Sequence, residues 1–133
     1  MNFNQIGILV GICAIAFFGF TLKKVRSPFI KGLWKSGLLV FFLYSAILIY
    51  VEIRWQFISS YAQKYDTNGN GFVDLNEYSD EAIAAMNKMT SGAKAKSFAA
   101  LTVAVLSSII GFAYLISDWA VTYLKNKEQK QQV

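Results

Sequence analysis

Asp66, Asn68, Asn70, Asp74 and Glu77 place five oxygen-bearing side chains within a stretch of twelve residues, the first three at alternate positions. Such a set suits a hard divalent cation. Calcium takes six to eight oxygen ligands around one point, and a short turn can aim alternate side chains and one backbone carbonyl inward. Other chemistries are poorly provided for. The chain has no histidine and a single cysteine, Cys13, so a disulfide framework and a histidine–cysteine metal site are both excluded within one copy. No nucleophile and base stand together, and most carboxylates are committed to the cation or to interfaces, so no enzyme is expected.

Residues 66–77, Asp-Thr-Asn-Gly-Asn-Gly-Phe-Val-Asp-Leu-Asn-Glu, resemble the calcium loop of the EF-hand family. The resemblance covers these twelve positions and the helices beside them. It implies Asp66 at position 1, Asn68 at 3, Asn70 at 5, Gly71 at the turn of position 6, the Phe72 carbonyl at 7, Asp74 at 9 and Glu77 closing the site at 12. Val73, at position 8, is β-branched and suits the short extended stretch through which such loops pair. One bound Ca2+ is the implied cofactor. Asn at positions 3 and 5 leaves only three carboxylates, which predicts weak affinity, roughly 0.1–1 mM as in extracellular modules.

The rest of the chain is membrane-like. It has 133 residues, 55% of them hydrophobic and 16% charged, a mean hydropathy of +0.39 and 16% aromatics. Residues 6–22, 36–51 and 97–117 carry no charge, and about 20 apolar residues suffice to cross a hydrocarbon core as helix. An all-α membrane protein with three transmembrane helices, and an extracytoplasmic helix-loop-helix between the second and third, is the expected fold. The first span is expected to stay uncleaved, because no cation precedes Ile6 and apolar residues continue to Leu22. Cys13 is then a small apolar packer inside it.

The net charge of +5 is a topology signal. Lys23, Lys24, Arg26, Lys31 and Lys35 crowd the first loop, and Lys125, Lys127 and Lys130 follow the third span. Residues 54–96 instead balance five basic side chains with five acidic ones. The positive-inside rule then puts the 23–35 loop and the C-terminus in the cytoplasm and the N-terminus and cation loop outside, in the manner of a bacterial inner-membrane protein. Trp34, Trp119 and Tyr123 mark one interface, and Trp55 and Tyr61 the other. No nucleic-acid partner is expected, since the cations flank spans without forming a reading face. The lipid bilayer explains them.

These signals divide the chain into 1–35 (first span and basic loop), 36–55 (second span), 56–92 (the loop and its helices) and 93–133 (third span and tail). No Gly or Pro lies between Gly37 and the loop, so the second span should run as one helix into it. Phe57, Ile58, Tyr61, Ala62 and Tyr65 form one apolar stripe, and Tyr78, Ala82, Ile83, Ala85, Met86 and Met89 a facing one on a helix expected from about Leu75. Gly92 is the expected joint between that helix and the third span. Glu52 is expected to pair with Lys94 or Lys96, and Asp118 to lie at the inner interface near Lys23 or Lys24; both are intramembrane or interface polar sites. Small residues four apart, Gly7 with Gly11 and Ala100 with Ala104 and Ser108, with Ser107 and Gly111 on a neighbouring face, permit close helix contact, self-association or docking on a membrane-protein partner. The expected function is that of a calcium-binding accessory or regulatory membrane subunit. The alternative is a calcium-gated homo-oligomeric channel or transporter component, with Asp118, Ser45, Ser107 or Ser108 lining a path.

Overall fold

A computed structural model describes residues 2–71 and 73–131. Three long helices account for nearly all of it: α1 (Phe3–Leu22), α2 (Pro28–Gln63) and α3 (Asp80–Gln131). All three are long and apolar enough to cross a membrane, and together they make an all-α integral membrane protein. Asn2 opens α1 by accepting a hydrogen bond from the Gln5 amide at 2.9 Å while the Gln5 side chain accepts from the Asn2 amide at 3.1 Å. Pro28 opens α2 from its first turn, where the missing N–H is harmless. The basic loop is therefore shorter than 23–35, and Lys31 and Lys35 stand on α2.

Facing residues on α2 and α3 keep one antiparallel register over most of the length of α2. Gly32 meets Asp118 and Trp119, Gly111 meets Ser36 and Val40, Lys96 meets Glu52, and Gly92 meets Trp55 and Ile58. Each step forward along α2 is an equal step back along α3. A Cβ at Gly111 would overlap Val40, so its absence is what lets the backbones close to the point where Ser36 Oγ donates to the Gly111 carbonyl at 2.6 Å. α1 joins the pair from the side, antiparallel to α2. Gly7 and Gly11 admit Tyr44, Leu48 and Ser45, while at the other end Phe18 packs on Phe41 and Trp34, and Trp34 Nε1 donates to Thr21 Oγ1 at 2.7 Å. Leu48, Ala99 and Val103 form the buried centre, with Ile8, Tyr44, Val51 and Ala100 against it.

Apolar residues cover the outside as well. Phe98, Leu101, Val105, Ile109, Phe112 and Ile116 recur along α3 at three- and four-residue steps and are all more than half exposed. A surface of that kind belongs in hydrocarbon. α1, at 20 residues, is about 30 Å long, the thickness of a hydrocarbon core. α2 and α3, at 36 and 52 residues, overshoot it. Beyond Glu52 and Lys96, past the end of α1, they continue as a two-helix stalk.

Two expectations about the stalk are corrected. α3 runs through Gly92 without a break, so the boundary at 92–93 is no joint; a single glycine costs a helix only about 1 kcal/mol, and here Gly92 faces Trp55 and Ile58, which a Cβ would meet at 3.6 Å. The helix after the loop starts at Asp80, later than Leu75, because Leu75–Glu77 forms a separate 3-10 turn and Ser79 caps α3, its hydroxyl accepting from the Ala82 amide at 3.1 Å. Of the two facing stripes, Ala62, Ala82 and Ala85 are buried and Ile58, Met86 and Met89 half-buried, whereas Phe57, Tyr61, Tyr78 and Ile83 stay exposed. Small residues make the contact between the stalk helices. Phe57, Tyr61, Tyr78 and Ile83 face outward.

Candidate metal site

The loop sits at the tip of the stalk, where α2 ends and the chain turns back to α3. Tyr65 and Asp66 extend the last turn of α2, their amides donating hydrogen bonds to the Ala62 and Gln63 carbonyls at 3.2 Å. The Asp66 carboxylate then gathers the turn around itself. Its Oδ1 accepts from the amides of Gly69 at 2.8 Å and Asn70 at 3.2 Å, and its Oδ2 from Gly71 at 2.7 Å. Those amides point inward because Gly69 and Gly71 have φ of +71° and +91°, which other residues rarely adopt.

The other donors belong to the same ring. Asn68 and Asn70 each direct Nδ2 to Asp74 Oδ2 at 2.8 Å. Glu77 reaches back across the loop: Oε1 accepts from the amides of Thr67 at 2.9 Å and Asn68 at 3.1 Å and from the Thr67 hydroxyl, and Oε2 from the Asp74 amide at 3.0 Å. The Thr67 hydroxyl, followed by these amides, holds the Glu77 carboxyl below its ordinary value, since each donor stabilises the charged form. Asp66, Asn68, Asn70, Asp74 and Glu77 thus form one connected network, with Gly71 at the bend. Phe72 lies outside the described residues.

The carboxylates of this network accept from backbone amides and from the side-chain amides of Asn68 and Asn70. Among the described residues, no three His, Cys, Asp or Glu side chains stand close enough to hold a metal. The oxygens available to a cation are those of Asp66, Asp74 and Glu77 and the side-chain carbonyls of Asn68 and Asn70, whose amides would rotate to present oxygen in place of nitrogen. The donor set is chemically suited to a hard cation, and binding one requires the internal hydrogen bonds to be exchanged for it.

Two further polar clusters bracket the apolar body. At the loop-side end, Glu52 accepts from Lys96 Nζ at 2.9 Å and from Asn2 Nδ2 at 3.1 Å, and buried Asn4 donates to the Lys96 carbonyl at 3.1 Å. One level therefore ties all three helices together. At the opposite end Asp118 stands 3.9 Å from Lys35, in place of the expected Lys23 or Lys24, because Lys35 projects from α2 and the other two follow the end of α1. Seventeen residues of α2 separate the clusters and 22 of α3, about 26 and 33 Å of helix, which matches a hydrocarbon core.

Asn2, Asn4 and Thr67 escape a reading based on charge because neutral side chains give no charge signal. The Asn2–Gln5 spacing of a capping box and Ser79 before two acidic residues were the available clues.

Helix length, apolar exposure and bracketing ion pairs together define an integral membrane protein with a polar loop on a two-helix stalk. Neither a family model, nor a curated protein, nor a solved structure matches the chain.

Proposed function

We propose that residues 66–77 bind one calcium ion in the manner of an EF-hand, and that the chain is an accessory or regulatory membrane subunit whose spans respond to that ion. The observation that carries this reading is the convergence of Asp66, Asn68, Asn70, Asp74 and Glu77 into one hydrogen-bonded ring at the junction of α2 and α3. Calcium would draw Glu77 off backbone amides and Asp74 off the side-chain amides of Asn68 and Asn70, and the loss of those bonds lowers affinity, in line with a weak site. Because the loop joins two continuous spanning helices, any change in its closure acts on α2 and α3 directly.

The loop and N-terminus are assigned to the outside and the 23–35 segment and C-terminus to the cytoplasm of a bacterial inner membrane. Lys23, Lys24, Arg26, Lys31, Lys35, Lys125 and Lys127 all belong to the Asp118 end, which supports this orientation under the positive-inside rule. Calorimetric titration of the purified protein with calcium tests the main reading. Saturable one-site heat that disappears in Glu77→Gln supports it, and heat unchanged by that substitution overturns it.

A second reading, a homo-oligomeric calcium-gated channel or transporter component, rests on Ser45 and Ser107. Both hydroxyls are buried in the apolar body with no hydrogen-bond partner among the described residues, and unpaired polar atoms there suit a path for water or ions. Calcium-dependent flux through liposomes containing the protein alone would favour it, and co-purification of a distinct membrane protein favours the subunit reading.

A further inference from the structure

We propose that the cleft between α2 and α3 immediately beyond the Glu52–Lys96 pair binds the phosphate headgroup of an anionic phospholipid from the loop-side leaflet. The cleft has a volume of about 230 Å3 and is lined by Tyr50, Arg54 and Trp55 from α2 and by Lys88, Ser91 and Lys96 from α3. It is rich in cations and short of anions. Glu52 neutralises Lys96 at 2.9 Å, whereas among the described residues Arg54 and Lys88 face no carboxylate within ion-pair distance. Two uncompensated cations on facing helices over one small cleft attract an anion, and the planar fork of arginine suits phosphate oxygens in particular.

The height of the cleft selects a lipid. Arg54 is two residues beyond Glu52 and Lys88 eight residues beyond Lys96, about 3 and 12 Å along their helices, and the headgroup region extends roughly 5–8 Å past the hydrocarbon edge on each side. Lys88 lines the same cleft as Arg54 and Lys96, and a lysine stem is long and flexible enough to reach an anion held there. Trp55, whose ring lies 5.2 Å from Lys96 Nζ, supplies the amphipathic aromatic that favours the interface. Tyr50, 62% exposed, and Val51 lie on the membrane side of the cations and offer apolar surface to an acyl chain. A zwitterionic headgroup would bring its own ammonium against Lys88 and Lys96, so an anionic phospholipid is preferred. None of these residues belongs to the 66–77 loop, so the site does not rest on calcium binding there.

Trp55 lines the cleft while Trp34 and Trp119 lie at the opposite end, so its fluorescence in a Trp34→Phe, Trp119→Phe background reports on this site alone. In vesicles, brominated phosphatidylglycerol should quench Trp55 with at least tenfold preference over brominated phosphatidylcholine. Arg54→Gln with Lys88→Gln should remove the preference, and Arg54→Lys with Lys88→Arg should keep it. Equal quenching by the two lipids, or a preference surviving the glutamine pair, overturns the site. A preference abolished by 10 mM inorganic phosphate overturns the lipid as occupant and assigns the cleft to a soluble phosphate. If the tryptophan substitutions unfold the protein, judged by circular dichroism, native mass spectrometry of the otherwise unaltered chain decides: the glutamine pair should retain one fewer phosphatidylglycerol, and an unchanged count overturns the proposal.

Discussion

Glu77 carries two duties in the loop. Its carboxylate clamps the amides of Thr67, Asn68 and Asp74, and the same oxygens are the closing ligands of the proposed calcium site. Because its folded-state value is depressed, its contribution is fully present above the ordinary value near 4.5 and is lost as pH falls through the lower folded one. The loop amides of Thr67 and Asn68 should therefore keep their NMR shifts from neutral pH to about pH 4.5 and lose them below it; in Glu77→Gln the transition should vanish. Lys96 makes a different residue-scale prediction. Its side chain and that of Glu52 are 19% and 13% exposed, so Lys96→Ala strands a largely buried carboxylate. The expected loss is roughly 2–4 kcal/mol, somewhat below that of a fully buried pair, read as a lowered unfolding midpoint in detergent. The double variant Glu52→Gln, Lys96→Met should recover most of it. Equal destabilisation by both would show that packing around the pair matters more than its charge.

At the scale of helices, the decisive contacts are made by small residues. Gly111→Val should destabilise the α2–α3 pair by about 1–3 kcal/mol, since the added atoms overlap Val40 and crowd Ser36. Gly92 should behave in the opposite way. A Cβ there meets Trp55 and Ile58 at ordinary contact distance, 3.6 Å, and the helix is continuous, so Gly92→Ala should raise stability by about 0.5–1 kcal/mol. Equilibrium unfolding of the two variants side by side checks both signs. The continuity of α2 was legible in the sequence, because no breaker separates Gly37 from the loop. The continuity of α3 was not: an isolated glycine reads equally as a joint or a packing residue, and only the bulky Trp55 opposite it decides the matter.

For the whole molecule, the lengths of the helices set the consequence. α1 is about one hydrocarbon thickness long, while α2 and α3 carry on into a stalk that holds the loop clear of the apolar body. Cysteines replacing Gln63 and Met86, which face one cleft of about 360 Å3 beneath the loop, in a Cys13→Ser background should cross-link at rates that differ severalfold with and without calcium. Identical rates would mean that the ion leaves the spans where they are and only staples the loop. The three spans were legible from runs of uncharged residues, since hydrocarbon imposes its thickness on any helix that crosses it. How the spans meet was not.

The sequence by itself determined the number of helices that can cross a membrane, the set of oxygen donors at 66–77 and the sign of charge at each end, because composition and spacing along one chain dictate these. Only the tertiary structure decided that Lys35 faces Asp118, that Lys96 is the choice over Lys94 for Glu52, and that neutral Asn2 and Asn4 complete that cluster. The reason is register. Which residues meet across two helices depends on how closely their backbones approach and at what offset, and that is settled by glycines and serines whose own sequence signal is faint.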